Sequence, residues 1–260
     1  MSTQLYPQKA YRNWRDLSIV SAREIVPLVV ELIRPRSVVD VGCGLGMWTS
    51  IFREQGIEEF LGIDNVTVPQ DSLLIPRDKF LAHDLGHPLK LDARFDLVVS
   101  LEVAEHLPAS SAATFVDTLT SLGPVILFSA AIPHQRGRGH INEQWPEYWA
   151  ALFAKHDYRT VDCLRQRIWN NERVEPYYKQ NMLVFVADDR LSDYAELAAE
   201  ALPVGRMPLS LIHPHYYLKR TDFANSSLKW HGQKLMHYVR AVLRRLGLIK
   251  RDSPQAGTVF

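Results

Sequence analysis

The run Val38-Val39-Asp40-Val41-Gly42-Cys43-Gly44-Leu45-Gly46 ends an apolar segment in an acid and then sets three glycines within five residues. Glycines in such a turn let a ligand approach the backbone with no Cβ in the way. The dinucleotide fingerprint is G-x-G-x-x-G, but here the third glycine comes one residue early and Met47 fills the expected place. Asp40, just ahead of the turn, suits a cationic ligand and would repel a pyrophosphate. Phe60-Leu61-Gly62-Ile63-Asp64 closes a second apolar segment with a carboxylate. It lies about twenty residues past the glycines, where an acid accepts both hydroxyls of a ribose, and Asn65 stands beside it. A third segment ends in Asp84-Leu85, an acid fit for the amino group of a base and an apolar residue fit for its ring; Leu101 ends a fourth. Either Asp64 or Asp84 alone could cap the turn that follows it. In register with Asp40 and the glycines, they describe a pocket for a cationic nucleoside. Cys43 reads as a small packing residue, since nothing nearby would activate a thiol.

Proton transfer needs a base at the same edge. Glu102-Val103-Ala104-Glu105-His106 follows the fourth segment, His134 follows the fifth, and His140 stands in Gly139-His140-Ile141-Asn142-Glu143. Histidine titrates near neutrality, so His106, His134 and His140, with Glu105, are the catalytic candidates. Each histidine also has a plain structural use in its own loop. Were a helical turn to begin at Glu102, then Glu102, Glu105 and His106 would share a face at i, i+3 and i+4. His140 could complete a carboxylate and imidazole site for a divalent ion. The main reading has no metal, and this set is its alternative. Arg136 and Arg138 could clamp an anionic group of the acceptor, or be solvated. Trp145, Tyr148 and Trp149 could stack on a sugar or pack in the core.

The elements that must position these residues are short and nearly continuously apolar: Ser37 to Val41, Phe60 to Ile63, Lys79 to Ala82, Phe95 to Leu101 and Val125 to Ser129. Such runs are strands of a parallel sheet covered on both faces. Trp48 to Gln55, Ser110 to Leu122 and Pro146 to Lys155 read as helices. Ser21 to Ile33 carries apolar residues at helical spacing and is stopped by Pro35. Tyr158 to Trp169 and Met182 to Val186 read as two more strands joined by a polar segment. The expectation is a Rossmann-like doubly wound α/β fold over residues 1–189, with a C-terminal helical appendage over residues 190–260.

The chain has 260 residues, 47% apolar and 23% charged, with 2 cysteines, which is too few for a disulfide framework. No apolar run approaches the roughly 20 residues of a membrane span, and the first residues lack the apolar stretch of a secretory signal, so a cytoplasmic setting is expected. The net charge of +1 is unevenly spread: residues 219–260 carry nine basic and two acidic side chains, leaving the rest at −6. A phosphate-tracking surface would need a basic stripe, so a nucleic-acid partner is disfavoured. Between Lys234 and Ile249 the apolar residues recur at spacings of three and four among Lys and Arg, a basic amphipathic helix. Residues 230–250 could dock on their own domain, on a second subunit in a homodimer, or on an anionic membrane surface.

With DVGCGLG as first motif, Asp64 and Asp84 as second and third, and FDLVVSLEVAEHL as fourth, the chain resembles the class I S-adenosylmethionine-dependent methyltransferases over roughly residues 20–188. The resemblance implies a seven-stranded sheet whose last strand is antiparallel. It also implies S-adenosylmethionine as cofactor. Asp40, Gly42, Cys43, Gly44 and Gly46 would hold the methionine portion, Asp64 and Asn65 the ribose, and Asp84 with Leu85 the adenine. E-x-x-E-H looks like the turn of ubiquinone-pathway O-methyltransferases. Together with a later histidine, it also looks like the divalent-metal site of small-RNA 3′-terminal 2′-O-methyltransferases. The acceptor reading is a hydroxyl of a small polar metabolite, phosphorylated or sugar-like. The alternatives are metal-dependent RNA ribose methylation and a non-catalytic cofactor-binding partner subunit.

Overall fold

The computed structural model describes residues 8–221 and six positions between 235 and 243. Seven strands form one sheet: β1 (Ser37–Val41), β2 (Glu59–Asp64), β3 (Phe80–Ala82), β4 (Leu97–Leu101), β5 (Val125–Ser129), β6 (Tyr158–Val161) and β7 (Leu183–Ala187). Their order is β3-β2-β1-β4-β5-β7-β6. All pairings are parallel except those of β7, which runs antiparallel to β5 and β6. The carboxyl ends of β1, β2, β4 and β5 therefore share one edge, and the start of β7 returns to it. The strand order reverses between β1 and β4, where open α/β sheets bind ligands.

Eight α-helices complete the described fold: α1 (Gln8–Ile33), α2 (Met47–Glu54), α3 (Ala112–Leu122), α4 (Pro146–Ala154), α5 (Arg165–Ile168), α6 (Pro176–Asn181), α7 (Ala195–Glu200) and α8 (Pro214–Thr221). Strands β1, β4 and β5 are buried along their whole length, so they need apolar side chains on both faces. One face packs against Ile25, Val26, Val29, Trp48, Ile51 and Phe52 of α1 and α2. The other packs against Phe115, Val116 and Leu119 of α3 and Trp149 and Phe153 of α4.

Two expectations need correction. The segment Tyr158 to Trp169 is not one strand: β6 stops at Val161, and Arg165–Ile168 turns into α5. Asp162 pairs with Arg165 at i and i+3, a helical spacing. The polar stretch before β7 is not simply a connection either, because it contains α6, with Pro176 in its first turn as helix starts favour. The core also explains why Trp149 is no sugar platform: it is 2% exposed and packs on Phe128 with ring centroids 5.4 Å apart.

The chain divides into two compact units, residues 1–213 and 214–260. The first unit runs past residue 189 because α7 and its neighbours return to the sheet. Leu202 N–H donates to Thr160 O at 2.9 Å, and Val161 bridges Ala201. Most of the expected basic helix lies outside the described residues; within it Leu235, Met236, Val239 and Val242 are helical and exposed. No helix among the described residues is long and apolar enough to cross a membrane.

Phe153 is fully buried and stacks on Phe185 at 3.9 Å. Phe153→Ala is expected to cost about 3–5 kcal/mol of stability, read as a lower urea midpoint at unchanged slope. A loss below about 1 kcal/mol would show that this face of the sheet is loosely packed.

Candidate functional site

The turn after β1 is built by backbone conformation. Gly42, Gly44 and Gly46 all have positive φ, at 91°, 55° and 79°, which side chains with a Cβ rarely adopt. At Gly42 a Cβ would also come within 2.2 Å of a Val103 methyl. Asp64, the last residue of β2, holds the turn from the side: Gly44 N–H donates to Oδ2 at 2.6 Å and Asn65 N–H to Oδ1 at 2.6 Å. Each carboxylate oxygen thus receives one backbone bond and keeps a lone pair, which is what two ribose hydroxyls require. Burial pushes the Asp64 carboxyl above its ordinary value, and the two N–H donors partly offset this.

Asp40 lies beneath the turn. It is 3% exposed, and its Oδ2 accepts the Thr49 hydroxyl at 2.8 Å. It is therefore a buried carboxyl held by α2, not an open hydrogen-bonding contact. Burial raises its carboxyl from 3.8 to about 7, with Asp64 adding to the rise and Thr49 opposing it. Cys43 is buried, and desolvation, then Asp40 and Asp64, push its thiol well above the ordinary range. That is an inert thiol. Asp84 is mostly exposed, caps the turn after β3 through Gly86 N–H and pairs with His87 at 3.2 Å; here the capping use is realised. The Asn65 side chain accepts Thr67 N–H, and Leu85 and Leu101 are buried.

On the other side of the switch point, the residues after β4 and β5 come together. Among the described residues, Glu105, His106 and His140 are grouped with ligand atoms within 4.8 Å of one another, and the two imidazoles meet edge to face at 4.8 Å. Glu102 does not share their face. The segment after it is a short 3-10 turn, Ala104–His106, and Glu102 itself has φ 56°. Its carboxylate instead accepts Gln135 Nε2 at 2.8 Å and Asn181 Nδ2 at 3.0 Å. His134 is exposed, and only its backbone N–H is used. The expected four-residue face is thus a three-residue cluster, with the Glu102 carboxylate held beside Glu105 by Gln135 and Asn181.

Glu143, a residue given no role from sequence, organises this loop. Its carboxylate accepts the backbone N–H of His134 and of Arg136, and it pairs with His140 Nδ1 at 2.9 Å. With Nδ1 donating to that carboxylate, the tautomer leaves a lone pair on Nε2. His140 Nε2 lies 3.9 Å from Glu105 Oε1. Gly137 packs so tightly that a Cβ there would fall 2.0 Å from Nε2. The signal for Glu143 was its i+3 spacing from His140.

Glu105 is fully buried, and neither of its carboxylate oxygens has a hydrogen-bond partner. Burial, and then the nearby Glu102, push it well above the ordinary range. Burial and the neighbouring His140 lower His106 to about 4, so its imidazole is neutral at physiological pH. A neutral imidazole beside an unpartnered buried carboxyl can take up a proton or a hard cation.

A family model described as a methyltransferase domain matches residues 11–171. The chain belongs to that family, and its members of this fold take their methyl group from S-adenosylmethionine. No curated protein matches the chain. Among solved structures it is similar to the methyltransferase domain of bacterial CtHen1, at 20% identity and TM-score 0.47, covering 64% of this chain and 97% of that one. It is also similar to an S-adenosylmethionine-bound amino pentose methyltransferase from Micromonospora echinaspora, at 15% identity and TM-score 0.48, covering 72% of this chain and 100% of that one.

Asp40 makes the unliganded protein sensitive to pH. Folded, it keeps a proton up to about pH 7, whereas in the unfolded chain it ionises near 3.8. Folding therefore takes up a proton between these values. On this group's account stability is full below about pH 4 and falls as pH rises toward 7. Asp40→Asn is expected to remove that slope, measured as the change in melting temperature between pH 5 and 7 relative to wild type. Parallel profiles for the two proteins would contradict the raised carboxyl.

Proposed function

We propose that this protein transfers a methyl group from S-adenosylmethionine to a hydroxyl of a small polar acceptor, a sugar, nucleotide sugar or glycan precursor, with His140 as the base. The observation that carries the reading is the Glu143–His140 pair, which orients Nε2 beside the Glu105–His106 cluster. Bound at the glycine turn, the cofactor supplies an electrophilic methyl group. Gly42, Gly44, Gly46 and Asp64 would hold it, with Asp40 a buried carboxyl beside them whose ionised form a bound cation would favour. In-line displacement then requires mainly that the acceptor oxygen be positioned and relieved of its proton. His140 Nε2 accepts that proton, and Glu143 stabilises the resulting imidazolium. The similarity to an amino pentose methyltransferase accords with a sugar-like acceptor but does not carry the reading.

A second reading is favoured by one observation, the unpartnered Glu105 carboxylate within reach of two imidazoles. Glu105, His106 and His140 would hold a divalent ion such as Mg or Mn, and the acceptor would be a chelating diol such as an RNA ribose. A non-catalytic partner subunit gains no support from a base oriented this way.

Labelled transfer to a panel of sugars, nucleotide sugars and short RNAs separates the readings. His140→Gln is expected to lower turnover by about 10²- to 10⁴-fold with cofactor binding intact, and Glu143→Gln to lower it less. Turnover should survive a chelator. Full loss with chelator and recovery with Mn would favour the metal reading, and full activity of His140→Gln would contradict His140 as the base.

A further inference from the structure

Both carboxylate oxygens of Glu102 accept side-chain amides, and the bonded chain does not end with those partners. Its Oε2 accepts Gln135 Nε2 at 2.8 Å. Gln135 Oε1 accepts Gln180 Nε2 at 2.9 Å and Asn181 Nδ2 at 2.9 Å. Gln180 Oε1 accepts the backbone N–H of His213 at 3.0 Å. Gln135, Gln180 and Asn181 are 7%, 1% and 3% exposed, so water does not compete for these bonds. His213 belongs to the segment that leaves the sheet edge at Leu202 and is fastened at three further points. Arg165 Nη1 donates to Leu209 O at 2.7 Å and also to Gln180 O at 3.2 Å. Ser210 donates to Glu147 at 2.5 Å, and His213 packs its ring on Trp169 with centroids 4.8 Å apart.

The direction of the chain is consistent from end to end. The backbone N–H of His213 points at the Gln180 carbonyl, the Gln180 amide at the Gln135 carbonyl, and the Gln135 amide at the carboxylate. Aligned dipoles of this kind reinforce one another. A carboxylate offers only acceptors, so its two amide donors fix the orientation of both amides. Reversing either one would set donor against donor or oxygen against oxygen. Glu102 also adopts a left-handed backbone conformation, φ 56°, which a glutamate adopts only when its surroundings hold it there.

We infer that residues 202–213 form a strap that sets the acceptor side of the site through Gln180 and Gln135, which makes Gln180 a positioning residue for Glu102. The inference rests on the proposed reading of this edge as the acceptor side. The relay itself is a statement about hydrogen bonds, so it can be tested without any acceptor. Gln180 reaches neither the glycine turn nor the His140 cluster; its effect passes through Gln135.

Side-chain amide exchange in protein labelled at glutamine nitrogen, followed by NMR with S-adenosylmethionine present, reads the relay directly. In Gln180→Met, a substitution of similar volume, the Gln135 side-chain amide protons should exchange about tenfold faster or more, with backbone protection in β4 and cofactor affinity unchanged. Turnover should fall while KM for S-adenosylmethionine stays within about twofold. Should that variant fail to fold, His213→Pro against His213→Ala isolates the backbone donor, since both lose the ring and only the proline loses the N–H. Unchanged Gln135 exchange in Gln180→Met, or in His213→Pro relative to His213→Ala, would overturn the strap whatever the activity. Faster exchange in a protein whose wild type methylates no acceptor would uphold the relay and count against the proposed function instead.

Discussion

Burying carboxylates at one edge of a sheet is the constraint on which the rest of this structure depends. Taking an ionised acid out of water is costly unless it is paired or hydrogen-bonded. Four acids lie at this edge, Asp40, Asp64, Glu102 and Glu105, and desolvation is the leading influence on each of them. The fold answers each differently. Asp64 is held by two backbone N–H groups, Asp40 by one hydroxyl and Glu102 by two amides, while Glu105 has no hydrogen-bond partner. The two acids on the β1–β2 side, Asp40 and Asp64, are raised by burial, and a bound cation there would favour their ionised forms. The two beyond β4 lie across the switch point, Glu102 fixed by two amides and Glu105 without such a partner.

That division follows from the topology. The parallel strands bring the carboxyl ends of β1, β2, β4 and β5 to one edge, and the reversal of order between β1 and β4 opens the crevice there. The antiparallel β7 brings α6 back to the same edge. Asn181 therefore reaches Glu102 directly, and Gln180 reaches it through Gln135, although about eighty residues of chain separate them from Glu102. A parallel seventh strand would have started at the opposite edge and left Glu102 without these partners.

Much of this was legible in the sequence. The apolar runs marked the five parallel strands, three of which, β1, β4 and β5, are buried on both faces and leave no room for alternation, and the spacing of the glycines marked the turn after β1. What was not legible came from long-range contacts and local backbone. Periodicity put Glu102 on a helical face with Glu105 and His106, but its left-handed φ turns the side chain toward Asn181, and nothing in the residues around Glu102 encodes that. Glu143 was readable only as a neighbour of His140 at i+3, and its bonds to the backbone of His134 and Arg136 depend on a loop in which both of those residues, neither a glycine, have positive φ. Asp84 stands where the pattern places it, after β3, and also caps its own turn through Gly86 N–H.

The central claim is that the glycine turn and Asp64 together hold S-adenosylmethionine. Titration calorimetry of the cofactor into wild type and Asp64→Ala tests it most directly. One-site binding by wild type, weakened about tenfold or more in the variant, is the predicted result; no binding by well-folded wild type, or equal binding by both proteins, would contradict it.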